Sequence, residues 1–178
     1  MLQLVKAEPD VMMRTIFITI YAAGLRISEV VRLTAGDLNS KRLVIHVRQA
    51  KGHKDRYVML SEALLGILRR HWKRQRQAGN LLFPGARPGQ PITQRAVQRA
   101  FRIAADRAGL GEDVSPHTLR HSFATHLLEQ GVDVRVIQQL LGHSNINSTS
   151  RYTRVAISTI RHIQSPLELL LPERTAPD

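Results

Sequence analysis

The chain has 178 residues, of which 43% are hydrophobic, so a single buried core is feasible, as one domain or one domain with appendages. Lys and Arg number 26 against 14 for Asp and Glu, a net charge of +12, which favours a polyanionic partner with nucleic acid as the first candidate. The absence of cysteine excludes disulfides, thiolate zinc sites and a cysteine nucleophile, and an aromatic content of only 4% argues against a base-stacking platform for single strands.

No basic segment followed by an apolar run and a cleavage site opens the sequence, and no apolar run is long enough to span a bilayer. These features fit a cytoplasmic, nucleoid-associated protein with no membrane partner.

In chain order, Pro9 is placed in a first helical turn, with Val11, Met12, Ile16, Phe17 and Ile20 as the apolar stripe and Gly24 as the stop. A second short helix carries Arg26, Glu29, Val30 and Leu33 before the turn Ala35-Gly36-Asp37. Leu43–Val47 and Arg56–Leu60 read as two strands, joined by a polar, basic connection from Arg48 to Asp55. Ser61 is placed as the cap of a long helix reaching roughly Ala78 and closed by Gly79. That helix carries Arg69, Arg70, Lys73, Arg74 and Arg76, which suit solvent and phosphate equally.

Leu81 to Pro91, rich in Pro and Gly, reads as a loop. Thr93 caps a helix that ends before Gly109, and Ser115-Pro116 opens another whose buried face is Leu119, Phe123 and Leu127, with Ala124 and Leu128. Asp133 caps a further helix with Val134, Ile137, Leu140 and Leu141 facing inward, stopped by Gly142. His143 lies just beyond that stop, and Ser148 is placed at the start of a short helix carrying Tyr152. The expected fold is therefore mainly α with a small antiparallel β-sheet (α+β).

Chemistry concentrates in His117-Thr118-Leu119-Arg120-His121, Leu141-Gly142-His143 and Tyr152, with a second arginine upstream in Gly24-Leu25-Arg26-Ile27-Ser28-Glu29. Two fixed guanidinium forks suit the non-bridging oxygens of a phosphodiester, and a tyrosine beside them is a candidate nucleophile. His117 and Arg120, spaced i, i+3, share one helical face and can meet one phosphate. His121 and His126 fall elsewhere and suit packing or hydrogen bonding. His117 and His121 have the i, i+4 spacing of a zinc pair, but no glutamate lies between them and the arginine there opposes a cation. Taken singly, a histidine after Leu-Gly usually satisfies helix-end carbonyls, and a lone tyrosine usually packs. Their co-occurrence in this order is what carries the reading.

In this context the chain resembles the tyrosine recombinase (phage integrase) family. The matching segments are Gly24–Val30, Ala50-Lys51-Gly52-His53-Lys54-Asp55-Arg56, the block Ser115–Leu128, Gly131-Val132-Asp133, Gln138–His143 and Tyr152-Thr153, and the resemblance runs from about residue 10 to about residue 160. It implies that Arg26, Lys51, His117, Arg120, His143 and Tyr152 fall on the family's catalytic positions. Ala50 stands where the family often has glycine, which leaves Lys54 as a weaker alternative to Lys51.

The resemblance further implies attack by the Tyr152 hydroxyl on DNA, giving a 3′-phosphotyrosyl enzyme and a free 5′-hydroxyl, with no cofactor, ATP or metal. His117 would accept the proton or orient the phosphate, Lys51 would protonate the leaving oxygen, and His143 would add a hydrogen bond. Glu29, one turn beyond Arg26, either holds that arginine or forms an ordinary surface pair. The implied partners are double-stranded DNA and further copies of the chain, in a tetrameric synapse. A type IB topoisomerase or telomere resolvase would use related chemistry, and the runner-up from another class is a non-catalytic DNA-binding remnant.

Residues 1–164 are expected to form the catalytic domain and 165–178 a C-terminal tail that can dock on a neighbouring subunit. Ile157, Ile160 and Ile163 form an apolar stripe before it. The family's N-terminal helical DNA-binding domain has no counterpart in these residues.

Overall fold

A computed structural model describes residues 1–50, 54–75, 79–142, 160 and 163–170. Among them, α1 (Leu2–Ala7), α2 (Val11–Ala23) and α3 (Ile27–Val30) precede a 3₁₀ turn (Ala35–Asp37) and the strands β1 (Leu38–Asn39), β2 (Val44–Ala50) and β3 (Lys54–Met59). Then come α4 (Glu62–Gln75), α5 (Gln94–Arg107), α6 (Pro116–Glu129), α7 (Val134–Leu141) and α8 (Pro166–Leu169). The strands make one antiparallel sheet in the order β1-β2-β3. The expected α+β architecture is therefore the observed one, and no described helix is long and apolar enough to cross a membrane.

α2 is the central post. Asp10 caps it by accepting from the backbone N–H of Met12 and Met13, which satisfies donors that a helix start leaves open. Pro9 lies before this cap rather than in the first turn. Ile16, Phe17, Ile20 and Tyr21 are fully buried, packed among residues from α3, α4, α5 and the sheet. Gly24 ends the helix in the left-handed region, at φ 62°. The choice of glycine there is steric twice over: that φ disfavours a Cβ, and a Cβ would stand 2.5 Å from the Phe123 ring.

A second cluster, built from Val44, Met59, Phe123, Leu127, Ile137, Leu140, Leu141 and Ile160, joins the sheet to α6 and α7. α6 thus bridges both clusters, with Leu119 in the first and Phe123 in the second, and Arg120 lies between them in sequence. Three expected inward positions face solvent: Val11 is 42%, Leu128 54% and Val134 52% exposed. Val134 is the first residue of its helix, where one side has no preceding turn to pack against. Leu128 falls off the face set by Phe123 and Leu127, which are spaced i, i+4 and buried together.

Other elements run differently from the sequence reading. The two strands extend into the connection, taking up Arg48–Ala50 and Lys54–Asp55, because backbone pairing continues after the apolar alternation stops. α1 and β1 were not foreseen. Leu82 and Phe83, in the Pro/Gly-rich loop, are buried and anchored by backbone bonds from the Leu82 N–H to Leu33 and from the Ile92 N–H to Phe83. At the start of α6 the hydroxyl of Thr118 accepts from the Ser115 N–H, so the bond formed is the reciprocal half of the expected cap. The segment Ser165–Leu170 lies against this same chain: the Ser165 hydroxyl donates to the Ala22 carbonyl at 3.0 Å, and Leu167 is only 5% exposed.

Candidate active site

The candidate site is assembled where two helices end. The last carbonyls of a helix have no partner within it and carry partial negative charge. At the end of α2 the Gly24 carbonyl accepts from Nη1 of Arg120, and at the end of α7 the Leu141 carbonyl accepts from Nη2 of the same residue. The next carbonyl, that of Gly142, accepts from Nη2 of Arg26 at 3.1 Å. Leu140 completes the set by accepting from Nε of Arg56 at 2.9 Å. Gly142 itself is left-handed, at φ 64°, which turns the end of α7 toward the guanidiniums.

One carboxylate organises these cations. Glu29 on α3 accepts from the Arg26 backbone N–H at 2.7 Å and from Arg26 Nη1 at 2.9 Å. Arg56 forks onto both of its oxygens, at 2.7 and 2.8 Å, the bidentate geometry that favours arginine. Arg120 Nη1 lies 4.0 Å from Oε2. Glu29 is thus no surface helix pair: its side chain is 8% exposed and it faces three guanidiniums.

Burial alone would raise the Glu29 carboxyl, but hydrogen bonds and charge from Arg56 and hydrogen bonds from Arg26 outweigh it and hold the pKa below its ordinary value. Arg120 is pushed the other way from its usual range. Burial, then the neighbouring positive charge of Arg26, lowers it to about 10, with Glu29 opposing. It still carries its proton at neutral pH. Three positive groups around one negative group leave an uncompensated positive site, suited to an anion.

The structure brings Arg26 and Arg120 together, with side chains 26% and 4% exposed respectively. His117 stands exposed in the first turn of α6, one turn before Arg120. His126 pairs with Tyr21, Nδ1 to Oη at 2.9 Å, the hydrogen-bonding role expected of it, and His121 is exposed. No cluster of three or more metal-ligating side chains occurs among the described residues. Lys51, His143, Tyr152 and the helix expected from Ser148 lie outside the described residues, as does Arg76. The side chain of Lys54 is likewise not described. Arg56 was missed by sequence reasoning, which placed it only as the first residue of a strand. Its sole signal was membership of the Lys51–Arg56 segment.

Residues 1–158 match the model of the phage integrase family. The Sinorhizobium fredii protein y4qK is 52% identical over 161 residues, covering 90% of this chain and 52% of that one. The tyrosine recombinase XerD of Pseudomonas aeruginosa is 39% identical over 158 residues, covering 85% of this chain and 52% of its own. Among solved structures, the XerA recombinase superposes with a TM-score of 0.71 at 30% identity, over 97% of this chain and 63% of that one. The chain thus spans roughly half to two thirds of the length of these relatives. It belongs to the phage integrase family.

Proposed function

From that membership and the geometry above, we propose that the chain is the strand-transfer portion of a site-specific DNA recombinase or integrase. Residues 1–164 are its catalytic domain, and double-stranded DNA is its substrate. The observation that supports this best is the pairing of Arg26 with Arg120 at the ends of α2 and α7, in a cluster where three guanidiniums face one carboxylate.

A phosphodiester seated there develops charge on its non-bridging oxygens as a nucleophile approaches, and preorganised cations lower the energy of that state. In the proposed step, Tyr152 Oη forms a bond to phosphorus and the P–O5′ bond breaks. The phenolic proton leaves to His117, and Lys51 gives a proton to the departing 5′-oxygen. A free phenol has a pKa of about 10, so the attacking group needs such a base. His143 adds a hydrogen bond to the phosphate. The covalent ester conserves the energy of the broken bond, and attack by a 5′-hydroxyl reverses the step. Recombination requires two duplexes, so copies of the chain assemble on paired sites.

A nicked suicide duplex, whose short 5′-hydroxyl-bearing fragment diffuses away after cleavage, traps the adduct for a denaturing gel. Wild-type chain accumulates a protein–DNA adduct, and Tyr152→Phe forms none while binding the duplex as before. An adduct undiminished in the Phe variant rejects Tyr152 as nucleophile. A wild-type chain that binds duplex and never forms an adduct is a binding module instead.

A further inference from the structure

We propose that Arg56 is a positioning residue for phosphate binding: it holds Glu29 and the end of α7 so that Arg26 and Arg120 present their charge to the anion. The inference rests on the reading of that arginine cluster as a phosphodiester site.

Arg56 is poorly placed to be a ligand itself. Each of its three side-chain nitrogens already donates: Nε to the Leu140 carbonyl, Nη1 and Nη2 to the two oxygens of Glu29. Both groups it grips also hold Arg26. Glu29 binds Arg26 through its backbone N–H and Nη1, and the α7 terminus binds it through the Gly142 carbonyl. Gly142 is packed directly over Arg56, since a Cβ there would lie 3.1, 3.2 and 3.3 Å from Cδ, Nε and Cζ of the arginine.

The electrostatic consequence decides the role. A carboxylate touching a phosphate-binding arginine cancels the charge that the phosphate needs. Arg56 supplies the counter-charge to Glu29 by gripping both of its oxygens, so the carboxylate can orient Arg26 without neutralising it. A lysine cannot substitute, because one ammonium cannot span two carboxylate oxygens and a carbonyl in a fixed plane.

The test uses the whole chain and its Arg56→Lys and Arg56→Met variants, in two arms. In the first, inorganic phosphate is titrated into ¹⁵N-arginine-labelled protein while the Nε–H signals of Arg26 and Arg120 are followed, with the Arg120→Met variant as the blank. The expected result is at least about a tenfold loss of phosphate affinity in Arg56→Lys, at a temperature where its fold is intact. Unchanged affinity, or a wild-type chain whose arginine signals ignore phosphate, overturns the proposal. Should Arg56→Met fail to fold, Arg56→Lys carries this arm alone.

In the second arm, suicide duplexes carry either a charged phosphodiester or an uncharged methylphosphonate at the scissile position. Expected is a slowing about tenfold or more greater for the charged substrate, because only that one needs the arginine charge. Equal slowing of both means Arg56 merely supports the fold, and overturns the positioning role. If wild-type chain binds phosphate at Arg26 and Arg120 but forms no adduct, strand transfer fails as a reading and the first arm still decides for Arg56.

Discussion

Arg26 donates from Nη2 to the carbonyl of Gly142, 116 positions along the chain, at 3.1 Å. The bond joins the segment that follows α2 to the residue immediately before His143. A proposed phosphate ligand from the N-terminal part of the sequence is thereby referenced to the residue that precedes another proposed ligand. Arg120, bonded to the Gly24 and Leu141 carbonyls, ties the same two helix ends from behind.

The two arginines should therefore fail differently. Arg26→Ala, at a partly exposed side chain, should cut adduct formation about 10²–10³-fold while lowering the thermal midpoint less than Arg120→Ala does. Arg120→Ala should cut it similarly and also destabilise the fold by about 3 kcal/mol, because two buried carbonyls lose their donor and a buried ion cluster loses a member. Suicide-substrate rates and calorimetry separate the two effects. Equal loss of binding and cleavage for Arg26→Ala would make it an ordinary backbone contact.

Gly24→Ala should be far worse than Gly109→Ala, although both glycines are left-handed, at φ 62° and 66°. Each substitution incurs about 1–2 kcal/mol of backbone strain. At Gly109 a Cβ meets nothing within 4 Å, whereas at Gly24 it falls 2.5 Å from Phe123, which adds roughly 1–3 kcal/mol of overpacking. The Gly24 variant should also lose cleavage beyond its stability loss, since its carbonyl holds Arg120. Denaturant titrations of both variants check the ranking, and similar midpoints would contradict it.

Glu29 predicts acid sensitivity. Its pKa is lowered in the fold from an ordinary 4.5, so the unfolded chain takes up its proton first as pH falls. The contribution to stability is fully present above about 4.5 and is lost as pH drops through the lower, folded value. Glu29→Gln should be less stable at neutral pH, because three arginines lose their shared counter-charge, and should show a shallower stability decline below about pH 4.5. Urea unfolding across that range measures the slope. An identical decline in both proteins would remove Glu29 from the acid response.

How far the sequence reveals this site depends on the type of signal. Gly24, Asp133, Gly142 and Thr93 mark helix ends through local backbone chemistry, and local chemistry is legible in one dimension. Arg26 and Arg120 stand out because their segments carry a resemblance. Arg56 gives no local sign, since its partners are Glu29 and Leu140, 27 and 84 positions away, and only the folded chain supplies them. α1 escapes for a different reason. Six residues show no usable periodicity, no side chain caps the helix, and it is fixed by burying Leu4. Phe83 sits among prolines and glycines that read as surface loop, yet is buried with its ring tilted against that of His71, centroids 5.3 Å apart.

The +12 charge and the exposed Arg69, Arg70, Lys73 and Arg74 on α4 predict salt-sensitive binding of duplex DNA. Each phosphate contact releases counterions, so log K should fall against log[salt] with a slope of about −0.9 per contact. Arg69→Ala with Arg70→Ala should flatten that slope if these side chains touch phosphate, and leave it unchanged if they face only solvent. Tight binding by this chain that ignores salt would contradict the electrostatic reading.

The C-terminal segment separates docking from exposure within three residues. Leu167 is 5% exposed in the main core, beside α2 and α4, whereas Leu169 is 55% exposed. Ser165 fastens the segment to Ala22, in the last turn of α2, two residues before the Gly24 carbonyl that holds Arg120. Leu167→Ala should therefore cost about 2–5 kcal/mol, the range for emptying a buried leucine site, and Leu169→Ala should stay within about 0.5 kcal/mol. If the same segment leaves its own body to dock on a neighbouring subunit when DNA is bound, Leu167→Ala should also lower cooperativity on paired half-sites more than affinity for one half-site. Leu169→Ala then becomes informative, because an exposed leucine that matters only on paired sites must be covered there by another subunit. Calorimetry of the free chain and band-shift titrations of half-site and full-site duplexes give both readings. A Leu167→Ala chain as stable as wild type would show that this segment is not anchored where the structure places it.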